Sequence, residues 1–167
     1  MRHIIAILLE NEAGALTRVT GLFSSRGYNI ESLSVAPTED PSVSRLTLVT
    51  TGDDAVITQI VAQVNKLVDV VSVHDMTRGQ HFERELLLIK LRIPPDQVPA
   101  LTQLVDESGG RLLENSGDAV VVELTSGEAL INRFIASAGQ RGEIVEVVRS
   151  GALGIASGPR ALRLESA

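Results

Sequence analysis

Ile4-Ile5-Ala6-Ile7-Leu8-Leu9-Glu10-Asn11-Glu12-Ala13-Gly14-Ala15-Leu16 sets a strand, a polar turn and a helix start in succession, and the fold follows from it. Ile5, Ile7 and Leu9 fall on one side of the strand and Ile4, Ala6 and Leu8 on the other, so both of its faces are apolar. Both must then be covered. Helices of the same domain cover one face. For the other, contact between protomers or between domains is expected, with a symmetric dimer as the closed arrangement.

Outward from this stretch, Leu16, Val19, Leu22 and Phe23 form a helical stripe that Gly27 stops. Strands are expected over 29–35 and 43–50, separated by a turn in which Pro37 and Pro41 prevent either from running on. Asp53 or Asp54 can cap a second helix whose stripe runs from Val56 to Val68, and residues 70–73 make a fourth strand. The order is βαββαβ.

The same order recurs. A strand over 86–93 is followed by a helix marked by Val98, Leu101, Leu104 and Val105, which Gly109-Gly110 stops. Residues 111–115 pair with 119–124 across Ser116-Gly117-Asp118 as a hairpin. Thr125 and Glu128 have capping-box spacing before a helix with Leu130, Ile131, Phe134 and Ile135, and 144–148 is the last strand. The expected class is α+β, two tandem ferredoxin-like units, with a first domain over 1–77, a linker over 78–85, a second domain over 86–155 and a tail over 156–167.

Composition removes several function classes. The net charge of -6 is spread evenly, with 6 basic and 9 acidic side chains in residues 1–80 and 9 and 12 in residues 81–167. No basic footprint or aromatic platform for nucleic acid results. The chain has no cysteine, which excludes disulfides and thiolate chemistry and suits a reducing cytoplasm. Residues 1–9 are too short to cross a bilayer and read as a strand, so no membrane partner is expected. His3, His74 and His81 lie at no metal-ligand spacing and are expected at the surface. The carboxylates are expected mostly on caps, turns and exposed faces. No serine stands in a nucleophile elbow, and no catalytic residue is expected.

One constellation suits a small ligand: Asn11, Gly14, Ala15 and Leu16 at the first helix start, with Asn29 and Ile30 at the second strand. A free amino acid needs donors for its carboxylate, acceptors for its ammonium and an apolar space for its side chain. Open N–H groups at a helix start meet the first need, and Gly14 lets a ligand approach that backbone. The two asparagines offer acceptors, and Leu16, Ile30 and Val35 offer walls. The same residues also fit a cap, a turn and an ordinary core.

The run from Leu8 to Val19, continued by Gly21-Leu22-Phe23-Ser24-Ser25-Arg26-Gly27-Tyr28-Asn29-Ile30-Glu31-Ser32-Leu33, closely resembles the N-terminal ACT-domain signature of the acetolactate synthase small-subunit family. Further matches are Val35-Ala36-Pro37-Thr38, Ser44-Arg45-Leu46-Thr47, Lys66-Leu67-Val68-Asp69-Val70, Glu83-Arg84-Glu85-Leu86 and the run from Ile144 to Gly151. The resemblance implies a non-catalytic regulatory homodimer, joined through its ACT domains. It would activate a thiamine-diphosphate-dependent catalytic large subunit and confer feedback inhibition by valine. Thiamine diphosphate, magnesium and FAD would belong to that partner, with no cofactor in this chain. In the family the effector sits where two ACT domains meet, and the matching positions are Asn11, Gly14, Ala15, Leu16, Asn29 and Ile30. Two rivals share the element order. An acylphosphatase-like hydrolase would need Arg18 or Arg26, both expected as solvated helix charges, and an ACT-type sensor for another pathway or a transcription factor lacks a basic stripe or helix-turn-helix here.

Overall fold

The computed structural model describes residues 1–117 and 119–164. Asp118 of the expected hairpin turn and residues 165–167 of the expected tail lie outside them. The chain forms two compact units, residues 1–82 with 152–167, and residues 83–151.

Both units are α+β with the order βαββαβ. The first contains β1 (Arg2–Glu10), α1 (Ala15–Ser25), β2 (Ile30–Pro37), β3 (Val43–Thr51), α2 (Asp54–Val64) and β4 (Val70–Asp75). Its strands lie in the order β2-β3-β1-β4, with antiparallel neighbours. Ile5, Ile7 and Leu9 of β1 meet Val19 and Phe23 of α1 and Ile57 and Ile60 of α2 in one core. Each such side chain contributes about 1.5–3 kcal/mol on full burial, which makes β1 the axis of the unit. Asp53 caps α2 by accepting hydrogen bonds from the N–H groups of Ala55 and Val56. The helix stops at Val64, where an Asn65 cap and a bond from Leu67 N–H to Val64 O turn the chain, so Val68 is exposed rather than part of the stripe.

The second face of β1 is covered from within the unit. Ile4 and Ala6 pack with Val49, Met76, Ala152 and, partly, Leu162. The expectation that another protomer or domain is needed there is thereby corrected. The end of the expected second domain and the first residue of the expected tail supply β9 (Leu153–Ala156), and a Cβ on Gly154 would stand only 2.6 Å from Met76 Cε and 3.0 Å from Ile4 Cδ1. Glycine is what lets this segment lie against the sheet.

The second unit contains β5 (His81–Arg92), α3 (Val98–Glu107), β6 (Arg111–Ser116), β7 (Ala119–Ser126), α4 (Glu128–Gly139) and β8 (Glu143–Arg149). Its sheet order is β6-β7-β5-β8, and its core joins Leu87, Ile89 and Leu91 to Val122, Leu101, Ile131 and Phe134. Three expectations change here. The linker over 78–85 is largely strand, because β5 begins at His81, and the polar Glu85 is buried through its ion pair with Arg149. Residues 152–155, assigned in sequence to the second domain, belong to the first unit. The capping box of Thr125 and Glu128 does not form, since β7 runs to Ser126 and Gly127 is the N-cap without a side-chain bond.

Candidate effector site

The loop after β1 is fixed where it leaves the strand. Glu10 N–H donates to Asp69 O at 2.8 Å and Asn11 N–H to Ser42 O at 2.8 Å. The Asn11 side chain does not cap α1. Its Nδ2 donates to Pro41 O at 3.0 Å, which leaves Oδ1 as an acceptor at an exposed position. Gly14 is the N-cap, with φ of 89°, a left-handed conformation that glycine adopts without a Cβ penalty. Ala15 N–H reaches Glu12 O at 3.3 Å and Arg18 N–H reaches Gly14 O at 3.0 Å. Among the described residues nothing in the chain takes the N–H groups of Leu16 and Thr17, so the positive end of α1 offers two open donors. Ala15 is buried and contributes backbone alone, whereas Leu16 is half-buried against the core.

Sequence reasoning left Arg18 as a solvated charge, and the structure gives it a partner. Its Nε and Nη2 donate to Asp69 Oδ2 at 2.5 Å and Oδ1 at 2.7 Å. The Asp69 side chain is only 6% exposed, against the surface placement expected of the carboxylates. The bond from Arg18 holds the Asp69 carboxyl below the ordinary carboxylate range, against the opposing effect of desolvation. A Cβ on Gly14 would lie 2.8 Å from Arg18 Nη1, so the guanidinium flanks the helix start. The spacing of four residues, one turn along the same helix face, was the signal for this neighbour. With its charge committed to Asp69, Arg18 is also spoken for as a group of a hydrolase.

Asn29 and Ile30 lie elsewhere. Asn29 O accepts from Thr50 Oγ1 at 2.6 Å, its side chain is exposed, and Ile30 pairs with Thr50 and is half-buried on the core. On β3, Thr50 faces His3 at one end of β1 while Val43 faces Glu10 at the other. Seven residues of strand therefore separate the two groups, about 24 Å at the usual rise. One chain brings Asn11, Gly14, Ala15 and Leu16 together, and Asn29 with Ile30, but not the two sets to each other.

His3 is buried rather than at the surface, with Nε2 3.2 Å from Asp54 Oδ1. Among the described residues no group of three His, Asp or Glu side chains is placed to hold a metal ion, and no helix is long and apolar enough to cross a membrane.

Comparison with known proteins agrees with this architecture unit by unit. Residues 5–72 match the AHAS small subunit-like ACT domain, and residues 84–158 match the small subunit of acetolactate synthase. The chain is 44% identical to the acetolactate synthase isozyme 3 small subunit of Escherichia coli (strain K12), over 98% of this chain and 100% of that protein. It is 40% identical to the probable acetolactate synthase small subunit of Archaeoglobus fulgidus, over 95% and 98% of the two chains. The crystal structure of the acetolactate synthase small subunit from Thermotoga maritima superposes with a TM-score of 0.85 at 32% identity, over 96% of this chain and 99% of that one. Two βαββαβ units, the first of them an ACT domain, joined in this order over nearly the full length of such relatives, make the chain a member of the acetolactate synthase small-subunit family.

Proposed function

We propose that this chain is the regulatory partner of an acetolactate synthase large subunit, which it activates and places under feedback inhibition by valine. Family membership supports the regulatory, non-catalytic role. Thiamine diphosphate, magnesium and FAD then reside on the catalytic partner, and this cysteine-free chain works in the cytoplasm.

The effector pocket is shared by two copies of the chain. The observation that carries this reading is the separation of Asn11 and Gly14 from Asn29 and Ile30 along β3. A two-fold axis that sets one protomer's α1 start against its partner's β2 start unites the two sets twice over. In each composite pocket the N–H groups of Leu16 and Thr17 take the effector's carboxylate. The side-chain oxygens of Asn11 and Asn29 take its ammonium, and Leu16 and Ile30 enclose the branched side chain.

Because the pocket exists only in one arrangement of the pair, valine favours that arrangement by its binding free energy. The catalytic subunit responds differently to each arrangement. The test is inhibition of the reconstituted holoenzyme by valine. Gly14→Asp and Asn29→Ala are expected to abolish inhibition while activation persists, and wild-type inhibition curves for both would exclude the pocket.

A further inference from the structure

Arg45 of β3 lies on the sheet face of the first unit that the helices leave open. Its Nη2 donates to Gly154 O at 2.7 Å, and among the described residues no carboxylate stands within ion-pair distance of it. Arg18 and Arg149 differ in this respect, for each grips a buried carboxylate, Asp69 and Glu85. Arg45 is half-buried, and burial lowers its pKa from the ordinary arginine value. A partly desolvated guanidinium facing only a neutral carbonyl is costly, and an incoming anion relieves that cost.

The space beside it is suited to a small molecule. A cleft of about 430 Å³ runs between β2, β3 and β9, within the volume range of small-ligand sites. Val35, Ala36, Pro37 and Leu153 give it apolar walls, Thr38 and Thr47 add hydroxyl groups, and exposed Glu39 is the other charged residue on its lining. Val35 and Leu153 are both exposed large apolar side chains, 42% and 53%, turned to the same opening. None of Asn11, Gly14, Ala15, Leu16, Asn29 or Ile30 lines it.

We propose that this cleft binds a small monocarboxylate with a short aliphatic body. The carboxylate pairs with the guanidinium donors of Arg45 that Gly154 does not use, a planar match that arginine makes well. The aliphatic body lies against Val35 and Leu153. No buried carboxylate lines the cleft to pair with an ammonium, so an acid without one suits it better than an amino acid. The site is separate from the proposed valine pocket and does not depend on it.

Titration of the ¹⁵N-labelled full chain with 3-methylbutanoate tests this by amide chemical shifts. Saturable shifts are expected at Ala36, Thr47 and Gly154 and not at Asn11 or Asn29, with neutral 3-methylbutanamide producing none. Arg45→Gln is expected to weaken the response by about tenfold or more, the loss of one charge-assisted pairing, and Arg45→Lys by less. No saturable shift in the wild-type chain, an equal response to the amide, or an unchanged response in Arg45→Gln would each overturn the proposal. Should Arg45→Gln lose its dispersed spectrum, the acid and amide titrations of the wild-type chain decide alone.

Discussion

Arg18 and Asp69, 51 residues apart, are joined by two hydrogen bonds that tie the first turn of α1 to the entrance of β4. Asp69 is nearly inaccessible while Arg18 is half exposed, so the pair anchors the wall of the proposed effector site from its buried end.

This pair predicts an acid dependence with a definite sign. The Asp69 pKa is lowered in the folded chain by the bond from Arg18, from an ordinary value of 3.8. Its stabilising contribution is therefore fully present above that value and is lost as pH falls through the depressed folded value. Melting temperatures between pH 5 and pH 3 are expected to fall more steeply for the wild-type chain than for Asp69→Asn. Parallel acid limbs would contradict this.

Gly14→Ala isolates the backbone from the charge. At φ of 89° a Cβ costs about 1–2 kcal/mol, and here it also displaces Arg18 Nη1. Urea denaturation should show at least that loss, and the valine response should weaken without a carboxylate being introduced.

Removing the Asp53 side chain opens the first turn of α2. Asp53→Ala is expected to cost about 1 kcal/mol in urea denaturation, since two N–H groups lose their acceptor, and to leave valine inhibition unchanged.

In the second unit, Glu85 is buried and holds Arg149, whose pKa the bond raises. Glu85→Ala removes the carboxylate and leaves the guanidinium with the neutral Asn132 Oδ1, 3.0 Å from Nη1, as acceptor. Because Arg149 is about one-third exposed, solvent screens part of the loss, and the expected destabilisation is roughly 1–2 kcal/mol rather than the larger value of a fully buried pair.

Ending the chain after Gly151 uncovers Ile4, Ala6, Val49 and Met76. The truncated protein is expected to bind a hydrophobic dye and to melt roughly 2–4 °C lower for each kcal/mol of lost burial. Unchanged dye binding would mean that this segment is not the cover of β1.

Much of this fold was legible in sequence because each βαββαβ unit repeats simple periods. Alternation marked β1, the Leu16 to Phe23 stripe marked α1, and the Asp53 cap and the Gly27 stop both formed, the latter with φ of 72°. The cover of β1 was not legible. Residues 150–167 are rich in Gly, Ser and Ala, and among the described residues of that stretch Ala152 and Leu162 are the hydrophobic side chains packed in the cluster with Ile4 and Ala6, too sparse a signal for periodicity. Arg18 with Asp69, and Arg149 with Glu85, are long-range pairs that no local spacing reveals. The candidate site shows the same limit. Asn11 and Asn29 flank one helix in sequence, but the 11 residues of α1 carry the chain about 16 Å along the sheet before β2 begins.

The central claim, a pocket divided between two protomers, is tested most directly by mixing two inactive variants. Asn11→Ala and Asn29→Ala are each expected to bind no valine in isothermal titration. Co-refolded in equal amounts, half of the dimers are mixed, and each mixed dimer holds one intact pocket, so about a quarter of the wild-type sites should return at wild-type affinity. Recovery of no sites, or full binding by either variant alone, would contradict the account.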